Sequence, residues 1–542
     1  MSELALYFHT IRHLRPIQIA ARIWQQVYRP RPDLRPAAAQ RPLAASYVAP
    51  VPALPTLVGP DTFRLLNVEQ RCATAADWSP PAATKLWRYH LHYFDDLNAW
   101  DSCARADWHQ PLLERWVKEN PPGAGDGWEP YPVSRRVVNW IKWAARDNAL
   151  PGPCHTSLAV QTRWLCGRLE YQLLGNHLLA NAKALVHAGL YFEGTEAERW
   201  YRRGIDIVEQ QLGEQVLADG GHFELTPMYH ALVLEDLLDL INLLRACGRK
   251  PAADWYAAVG RMRRWLLIMS HPDGEISFFN DAAFGAAAPP AELEAYASRL
   301  GLGPALEHGA PLEVLPASGY VRATAGPAYL ICDCAEVGPM YQPGHAHADT
   351  LSFELSLAGN RVLVNSGISE YGSHAERQRQ RGTAAHNTVT INGQNSSETW
   401  AGFRVARRAH AQLCDVSYDG AAVIEGRHDG YTRLPGRNRH TRRWILDRQS
   451  LRIEDRISGA FQRAEARLHL HPAIEAHITT PGKVILSSGG RELAILDFEG
   501  ADSVELARGT WHPQFGAIAE NTLVTVTFSG SSLATYLTWP GS

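Results

Sequence analysis

The sequence predicts an α+β multidomain chain in which a helical barrel or solenoid is followed by an antiparallel β-sandwich. Three observations predict it. From about Thr84 to Ser298 apolar residues recur at helical spacing, and beyond Ser318 they alternate with period 2. The stretch between, Asp281 to Ser318, is rich in Ala, Pro and Gly. A chain of 542 residues exceeds one ordinary core and suits two large domains. The expected division is a helix and Pro-rich arm over 1–60, a helical domain over 61–314, and a β-sandwich over 315–542.

The N-terminal run MSELALYFHTIRHLRPIQIAARIWQQVY reads as an amphipathic helix. Arg and His are spread through it, and no apolar run with a small-residue cleavage site follows, so the expectation is a cytoplasmic chain, periplasmic only if the coding start lies elsewhere. Pro and Ala in residues 28–55 predict an extended, wrapped arm. In YHALVLEDLLDLINLL, Leu234, Leu237, Leu238 and Ile241 fall at i, i+3, i+4 and i+7. Similar stretches at Val160–Leu174, Leu178–Tyr191, Glu196–Leu212 and Ala252–Met269, with short connections, predict packed helices.

In the second half, TLSFELSL alternates Leu351, Phe353, Leu355 and Leu357 with Ser352, Glu354 and Ser356, which predicts a strand facing a core on one side only. Gly359-Asn360 predicts a hairpin turn into RVLVNSG, and Asn392-Gly393 a second one after NTVTI. RRWILD, SLRIEDRI, ARLHLHP, KVILS, LAILDF, TLVTVTF and ATYLTW follow at short spacing, as in a sandwich.

Composition narrows the function. With 45% apolar and 20% charged residues the chain is globular, and no stretch approaches the ~20 apolar residues of a membrane span. A net charge of −3 lacks the positive field of a nucleic-acid binder. The eight cysteines form no CxxC pair and read as reduced core thiols. No signal sets an oligomeric state.

PGHAHADTLSFE places His345, His347 and Asp349 at period 2 before a strand; in extended backbone all three point the same way, as a catalytic or metal site, or as a hydrogen-bonded loop capping the sheet. GTAAHNTVTINGQNSSETWAGFRVARRA adds His386 and Asn387 at another strand. Arg377, Arg379, Arg381, Arg404, Arg407 and Arg408 make a dense basic run suited to carboxylate or sulfate groups, or to a solvated face. In the helical half LLGNHLLANAK offers Asn176 and His177 beside a helix-interrupting Gly, and Tyr229 and His230 open a helix behind Pro227. A helix cap and a buried phenol explain the same residues. WEPYPVSRRVVNW adds Glu129, Tyr131, Arg135 and Arg136, and HPDGEISFFNDAAFG adds Asp273, Glu275 and Asp281.

The ordered set WEPYPVSRR, GNHLLAN, GGHFELTPMYH, HPDGEISFFNDAAFG, GHAHADTLSFE and RGTAAHNTV resembles the heparinase II/III family of polysaccharide lyases. The resemblance implies an (α/α) toroid, an incomplete helical barrel, followed by an antiparallel β-sandwich. It puts the carboxylate-binding position on Asn176 with His177 adjacent, the catalytic Tyr on Tyr229 and the catalytic His on His345. Elimination requires the proton on C5 of a uronic acid to leave, which donors on the neighbouring carboxylate make easier. A base and an acid then serve C5 and O4, jobs suited to His345 and Tyr229 in either order. Glu129, Tyr131, Arg135, Arg136, His230, Arg381 and Arg404 are the expected contacts to an acidic polysaccharide. No cofactor is required for the chemistry. The resemblance implies a structural zinc on His347, His386 and a residue that here is Asn365, a neutral and weaker ligand than Asp. Two other classes stay open: a glycoside hydrolase using a carboxylate pair among Glu129, Glu224, Asp273, Glu275 and Asp281, and a catalytically silent polysaccharide-binding or assembly protein.

Overall fold

The computed structural model describes residues 3–540; the two residues at each end of the first and last expected segments lie outside the described residues. The single N-terminal helix anticipated is two, α1 (Glu3–Ile11) and α2 (Pro16–Val27), because Arg15 takes the extended backbone imposed on a residue before proline. Residues 28–56 run extended over the helical domain. Arg41 N donates to Tyr191 O at 2.7 Å, and Ala44 N and Ala45 N to Ala246 O at 2.8 and 2.9 Å, so the arm satisfies carbonyls at two helix ends. A three-stranded antiparallel sheet (Leu57–Gly59, Thr62–Leu65, Val68–Arg71) follows, its strands too short for period 2 to announce them.

The helical domain contains α3 (Lys85–Leu91), α4 (Ala106–Glu119), α5 (Pro130–Ala144), α6 (Gly152–Cys166), α7 (Gly175–Tyr191), α8 (Gly194–Gln215), α9 (Pro227–Ala246), α10 (Ala253–Ile268) and α11 (Pro290–Arg299). Every residue of α7 except His177 is buried, which fits a central helix packed against α5, α8 and α9. Gly189 makes the α7–α8 approach possible, since a Cβ there would fall 2.5 Å from Tyr201 N. Inside the toroid Lys183 Nζ reaches Asp236 at 2.6 Å and Asp239 at 2.7 Å, and Lys142 Nζ reaches Asp239 at 2.9 Å. Asp239 is fully buried and offsets its loss of water with two cations.

The β region begins at Leu312. A five-stranded sheet runs Leu312–Leu315, Tyr320–Ala325, Ala328–Asp333, Phe353–Leu357, Asn360–Leu363. Beyond it an eight-stranded and a four-stranded antiparallel sheet share an apolar core that includes Ile424, Trp444, Ile453, Leu496, Val524 and Phe528. The five-stranded sheet is sandwiched between the two halves of the molecule. Leu330, Cys332, Phe353 and Leu355 join the sandwich core, while Tyr320, Tyr329 and Ile331 pack against Leu225, Trp265, Ile268 and Phe279 of the helical domain.

That position corrects the expectation for TLSFELSL, which is buried on both faces. Glu354 accepts from Phe278 N at 3.0 Å and meets His271 Nε2 at 2.9 Å, and Ser356 Oγ meets His271 Nδ1 at 2.8 Å, so the polar face is the docking face for the toroid. The hairpin turn is Ala358-Gly359, both at positive φ, one residue earlier than expected, because Leu357 pairs with Asn360. Asn392 and Gly393 also have positive φ. The cysteines are all free, yet Cys103 and Cys414 are exposed, so core thiol describes only part of the set.

Several buried histidines stay neutral. Burial first, then Lys183 and Lys142, brings the His187 imidazole down to about 3, and burial does the same to His230, also to about 3. Both take up a proton on unfolding as pH falls below the ordinary 6.5, so their stabilisation is present above 6.5 and drains as pH drops towards 3. Each should contribute a slope of about 1.4 kcal/mol per pH unit in that window. Urea midpoints should therefore fall steadily from about pH 7 to about pH 5, and His187→Leu should flatten the dependence by about one histidine's share.

Candidate active site

Four segments meet where the toroid abuts the sandwich. Thr226 caps α9 by accepting from Tyr229 N at 3.0 Å, which seats Tyr229 in the first turn. The preceding strip carries Glu224, and loops of the β region bring His345 and Tyr371. His345 Nδ1 is hydrogen-bonded to Glu224 Oε2. The His345 ring stacks on Tyr229 with centroids 3.9 Å apart and planes 14° apart, and the Tyr229 hydroxyl lies 2.9 Å from that of Tyr371. Phe403 and Phe515 stand edge-on to Tyr371 at 5.3 and 5.0 Å.

A carboxylate only accepts, so the Glu224 contact makes Nδ1 the donor and leaves Nε2 of a neutral His345 as the acceptor. Burial alone would raise the Glu224 carboxyl; the charge and hydrogen bond of His345 outweigh it and hold the carboxyl below its ordinary value. The Tyr229 hydroxyl is pushed well above 10, by burial first and then by Tyr371. The phenol is therefore a protonated donor at neutral pH. An imidazole oriented by a carboxylate and a protonated phenol thus sit in one stack.

Asn176 and His177 occupy the first turn of α7, where unpaired backbone N–H groups and the helix dipole favour an anion. Gln342, three residues before His345, lies so close over Gly175 (φ 55°) that a Cβ there would fall 2.2 Å from Gln342 Oε1. The side-chain oxygens of Asn176 and Gln342 are buried without a hydrogen-bond partner, two acceptors open to a donor such as a hydroxyl. His177 Nδ1 is 3.0 Å from Glu170 Oε1, and its ring is 4.6 Å from that of Tyr131. Burial would lower the His177 imidazole, but the Glu170 charge and hydrogen bond raise it above its ordinary value. Arg135 lies 3.6 Å from Asp95, partly exposed on the same helix as Tyr131.

The HAHAD loop is held from the toroid side by Asn280 and Asp281. Asn280 Oδ1 accepts from His347 N at 2.9 Å, Asn280 N donates to Asp349 Oδ2 at 2.9 Å, and Asp281 N donates to His345 O at 3.0 Å. The Asp281 carboxylate, fully buried, binds both guanidinium nitrogens of Arg377 and meets His347 Nε2 at 2.7 Å. Arg377 in turn lies 5.0 Å over the Tyr371 ring. His345, His347 and Asp349 do not converge as an extended strand would make them. The loop is irregular; His345 faces the toroid, while His347, Asp349 and His386 offer ligand atoms within 4.8 Å of one another. His347 Nδ1 and His386 Nε2 are 3.3 Å apart. Two ligands of a tetrahedral ion with ~2.0 Å bonds are separated by about that length. Asn365 is not the third member: its Oδ1 lies 3.3 Å from the other ring nitrogen of His386, behind it, as Asp281 lies behind His347. Two imidazoles and a carboxylate are a donor set that fits zinc.

Three expected substrate contacts are internal instead. Arg136 bonds Gln161, His92 O and Gly127 O; His230 bonds Met262 O and His222 N; Arg381 bonds Ala346 O. All three are fully buried, so they shape the site from behind. Glu129 pairs with Lys85 and with the Tyr89 hydroxyl, and Arg404 lies 5.2 Å over Tyr7 of α1 and 4.7 Å over Trp400. The basic run disperses: Arg379 pairs with Glu376, Arg407 with Glu398, and Arg408 donates to Met340 O. The carboxylates open to a hydrolase disperse too, Asp273 to Arg361, Asp281 to Arg377 and Glu224 to His345. Tyr371 and Gln342 escaped sequence reasoning, because a lone Tyr in ISEYG and a Gln before PGHAH carry no spacing signal; Glu224 stood inside GGHFEL but only as one half of a carboxylate pair.

Removing Asp281 leaves Arg377 buried with its charge uncompensated. Asp281→Ala should lose about 3–5 kcal/mol of stability and Asp281→Asn less, read as shifts in urea midpoint.

The family description Heparinase II/III N-terminus matches residues 155–298, and Heparinase II/III-like, C-terminal matches residues 307–540. A heparin-sulfate lyase of Bacteroides stercoris is 24% identical over 368 residues, 58% of this chain and 54% of that protein. FtsZ-localized protein C of Caulobacter vibrioides is 27% identical over 433 residues, 73% of this chain and 71% of that protein. The chain spans about half the length of the heparin-sulfate lyases it matches, 54% in Bacteroides stercoris and 47% in Pedobacter heparinus. Among solved structures, heparinase III superposes with a TM-score of 0.69 at 18% identity, covering 86% of this chain and 79% of that one. The chondroitin AC lyase of Streptomyces coelicolor A3 does so at 0.52 and 11%, covering 84% and 74%. These likenesses show the fold, a helical toroid followed by antiparallel β-sheets. The two family matches together take in well over half of the sequence, and the chain belongs to the heparinase II/III family.

Proposed function

We propose that this chain is a polysaccharide lyase that cleaves an acidic, uronic-acid-containing polysaccharide by β-elimination. The observation that carries the proposal is the stack in which His345 is oriented by Glu224 and lies on the ring of a protonated Tyr229. The uronate carboxylate sits at the first turn of α7, where the Asn176 amide and backbone N–H groups draw off its charge and make the C5 proton more acidic. His345 Nε2 takes that proton and the C4=C5 double bond forms. The C4–O4 bond breaks and Tyr229 gives its hydroxyl proton to O4, while Tyr371, 2.9 Å away, holds the phenol in place. His345 and Tyr229 are adjacent on one wall, which suits a proton and a leaving oxygen on the same face of the sugar. The names of the heparin-sulfate lyase relatives support a glycosaminoglycan-like substrate.

The proposal assigns His347, Asp349 and His386 to a structural zinc, with Asp281 and Asn365 as outer partners. A cation there would supply positive charge that ties the His345 loop to the 383–386 turn, with no part in proton transfer. Metal analysis of the purified protein should find zinc, and chelation should lower the melting temperature; His386→Ala should abolish both.

A second reading, a binding or assembly protein, is favoured by one observation: the relative that shares the larger part of its own length is named for where it localises, not for a reaction. Absorbance of unsaturated uronide during incubation with heparan-like, chondroitin-like, hyaluronan, alginate and bacterial exopolysaccharide chains separates the two. The lyase requires a rise that falls about 10²–10⁴-fold in His345→Ala and Tyr229→Phe, with Glu224→Gln between these and the parent. Polymer binding with a flat trace, unchanged in Tyr229→Phe, would establish the binding protein.

A further inference from the structure

The N-terminal helix pair turns the ordinary rule of amphipathic packing outwards. None of the residues of α1 is buried, and in α2 only Gln18 is. The pair is attached by polar and aromatic edges: Gln18 Nε2 donates to Tyr341 O, Arg15 pairs with Glu214, Trp400 Nε1 donates to Thr10 Oγ1 at 3.1 Å, and Tyr7 stands edge-on to Trp400. Its large apolar side chains face solvent. Leu4 (81% exposed), Phe8 (64%) and Ile11 (50%) follow one another at i, i+4 and i+7 on α1, and Ile23 (62%), Trp24 (58%) and Val27 (72%) crowd α2. Of the large apolar residues exposed among the described residues, nearly half fall between Leu4 and Tyr28. Trp24 and Tyr28 stack at 5.1 Å, amphipathic rings of the kind that favour a water–lipid boundary.

The charge around this face is predominantly positive: the one acidic residue of the two helices is Glu3, at the start of α1. Between Glu3 and Asp33 there is no acidic residue, while Arg12, Arg15, Arg22, Arg29 and Arg31 fall in the interval, in a chain whose net charge is −3. Arg12, Arg22, Arg29 and Arg31 are exposed. Helices of 9 and 12 residues are too short to cross a bilayer, so such a face can only lie in the interface plane.

We propose that α1 and α2 form a docking surface for an anionic phospholipid membrane, with Leu4, Phe8, Ile11, Ile23, Trp24 and Val27 entering the headgroup boundary and the arginines meeting the phosphates. The occupant follows from the combination: an apolar stripe alone would suit any hydrophobic partner, whereas five arginines against the single Glu3, beside exposed Ile, Phe and Trp, match anionic lipid. The inference does not rest on the lyase proposal.

The full chain should sediment with vesicles of phosphatidylethanolamine and phosphatidylglycerol, less with phosphatidylcholine alone, and less as salt is raised. The double variant Ile23→Glu/Trp24→Glu, at exposed positions and with an unchanged melting curve, should bind roughly a hundredfold more weakly, tenfold per apolar side chain withdrawn. Light scattering without lipid should give the same mass for both proteins. Failure to sediment with the anionic vesicles, equal sedimentation of the double variant, or a lipid-free dimer that the double variant dissociates would each overturn the proposal, the last by giving the face to a second copy of this chain.

Discussion

Asp281 is the group on which the site's geometry depends. It sits in the irregular stretch between α10 and α11, fully buried, yet its partners all come from the β region: the Arg377 fork, His347 Nε2 and, through its backbone N–H, the His345 carbonyl. A carboxylate withdrawn from water is tolerable only when its lone pairs are filled and its charge is matched, and these partners do both. Because the compensation crosses the domain seam, the toroid and the β region cannot slide past one another without exposing an unpaired charge. The neighbouring Asn280 adds its hydrogen bonds to the same loop, so the peptide that carries His345 is fixed at His345, His347 and Asp349.

That seam explains why the candidate catalytic groups come from opposite sides. Glu224 and Tyr229 belong to the toroid and His345 and Tyr371 to the β region, and the Glu224–His345 and Tyr229–Tyr371 contacts cross between the two. Burial would neutralise Glu224, and His345 keeps it charged; burial keeps Tyr229 protonated, and Tyr371 reinforces this. Opposite outcomes from the same desolvation arise because one group meets an imidazole and the other a second phenol.

The apolar cores supply the rigidity behind this arrangement. α7 and α9 bring their first turns to the candidate site while their bodies are buried in the toroid, and the five-stranded sheet is clamped between two cores. The N-terminal pair is the exception, held by edges and polar contacts while its apolar side chains remain in water, so its stability makes no use of the area it exposes.

Much of the fold was legible in the sequence because the signals are local. Helical spacing in YHALVLEDLLDLINLL and alternation in RRWILD or TLVTVTF are set by which face of each element meets a core, and that requires no knowledge of the partner. The resemblance likewise named His345, Tyr229 and Asn176, which the structure places at the seam or in the first turn of α7. Only tertiary structure decided the rest. TLSFELSL alternates like a half-exposed strand, but its Ser and Glu face His271 from another domain, a contact far away in sequence. Arg136, His230 and Arg381 read as ligands for an anion and prove to be internal hydrogen-bond donors, because guanidinium and imidazole groups satisfy backbone carbonyls as readily as they meet a substrate. Asn365 occupied the expected position in the chain, while in space its Oδ1 lies behind His386 and the Asp349 carboxylate is the group close to both His347 and His386. The sequence by itself determined the periods, the turns and the residue types available to the chemistry. Which polar groups come together at the seam was set by long-range pairing, since the cost of burying a charge depends on partners that only the folded chain brings within reach.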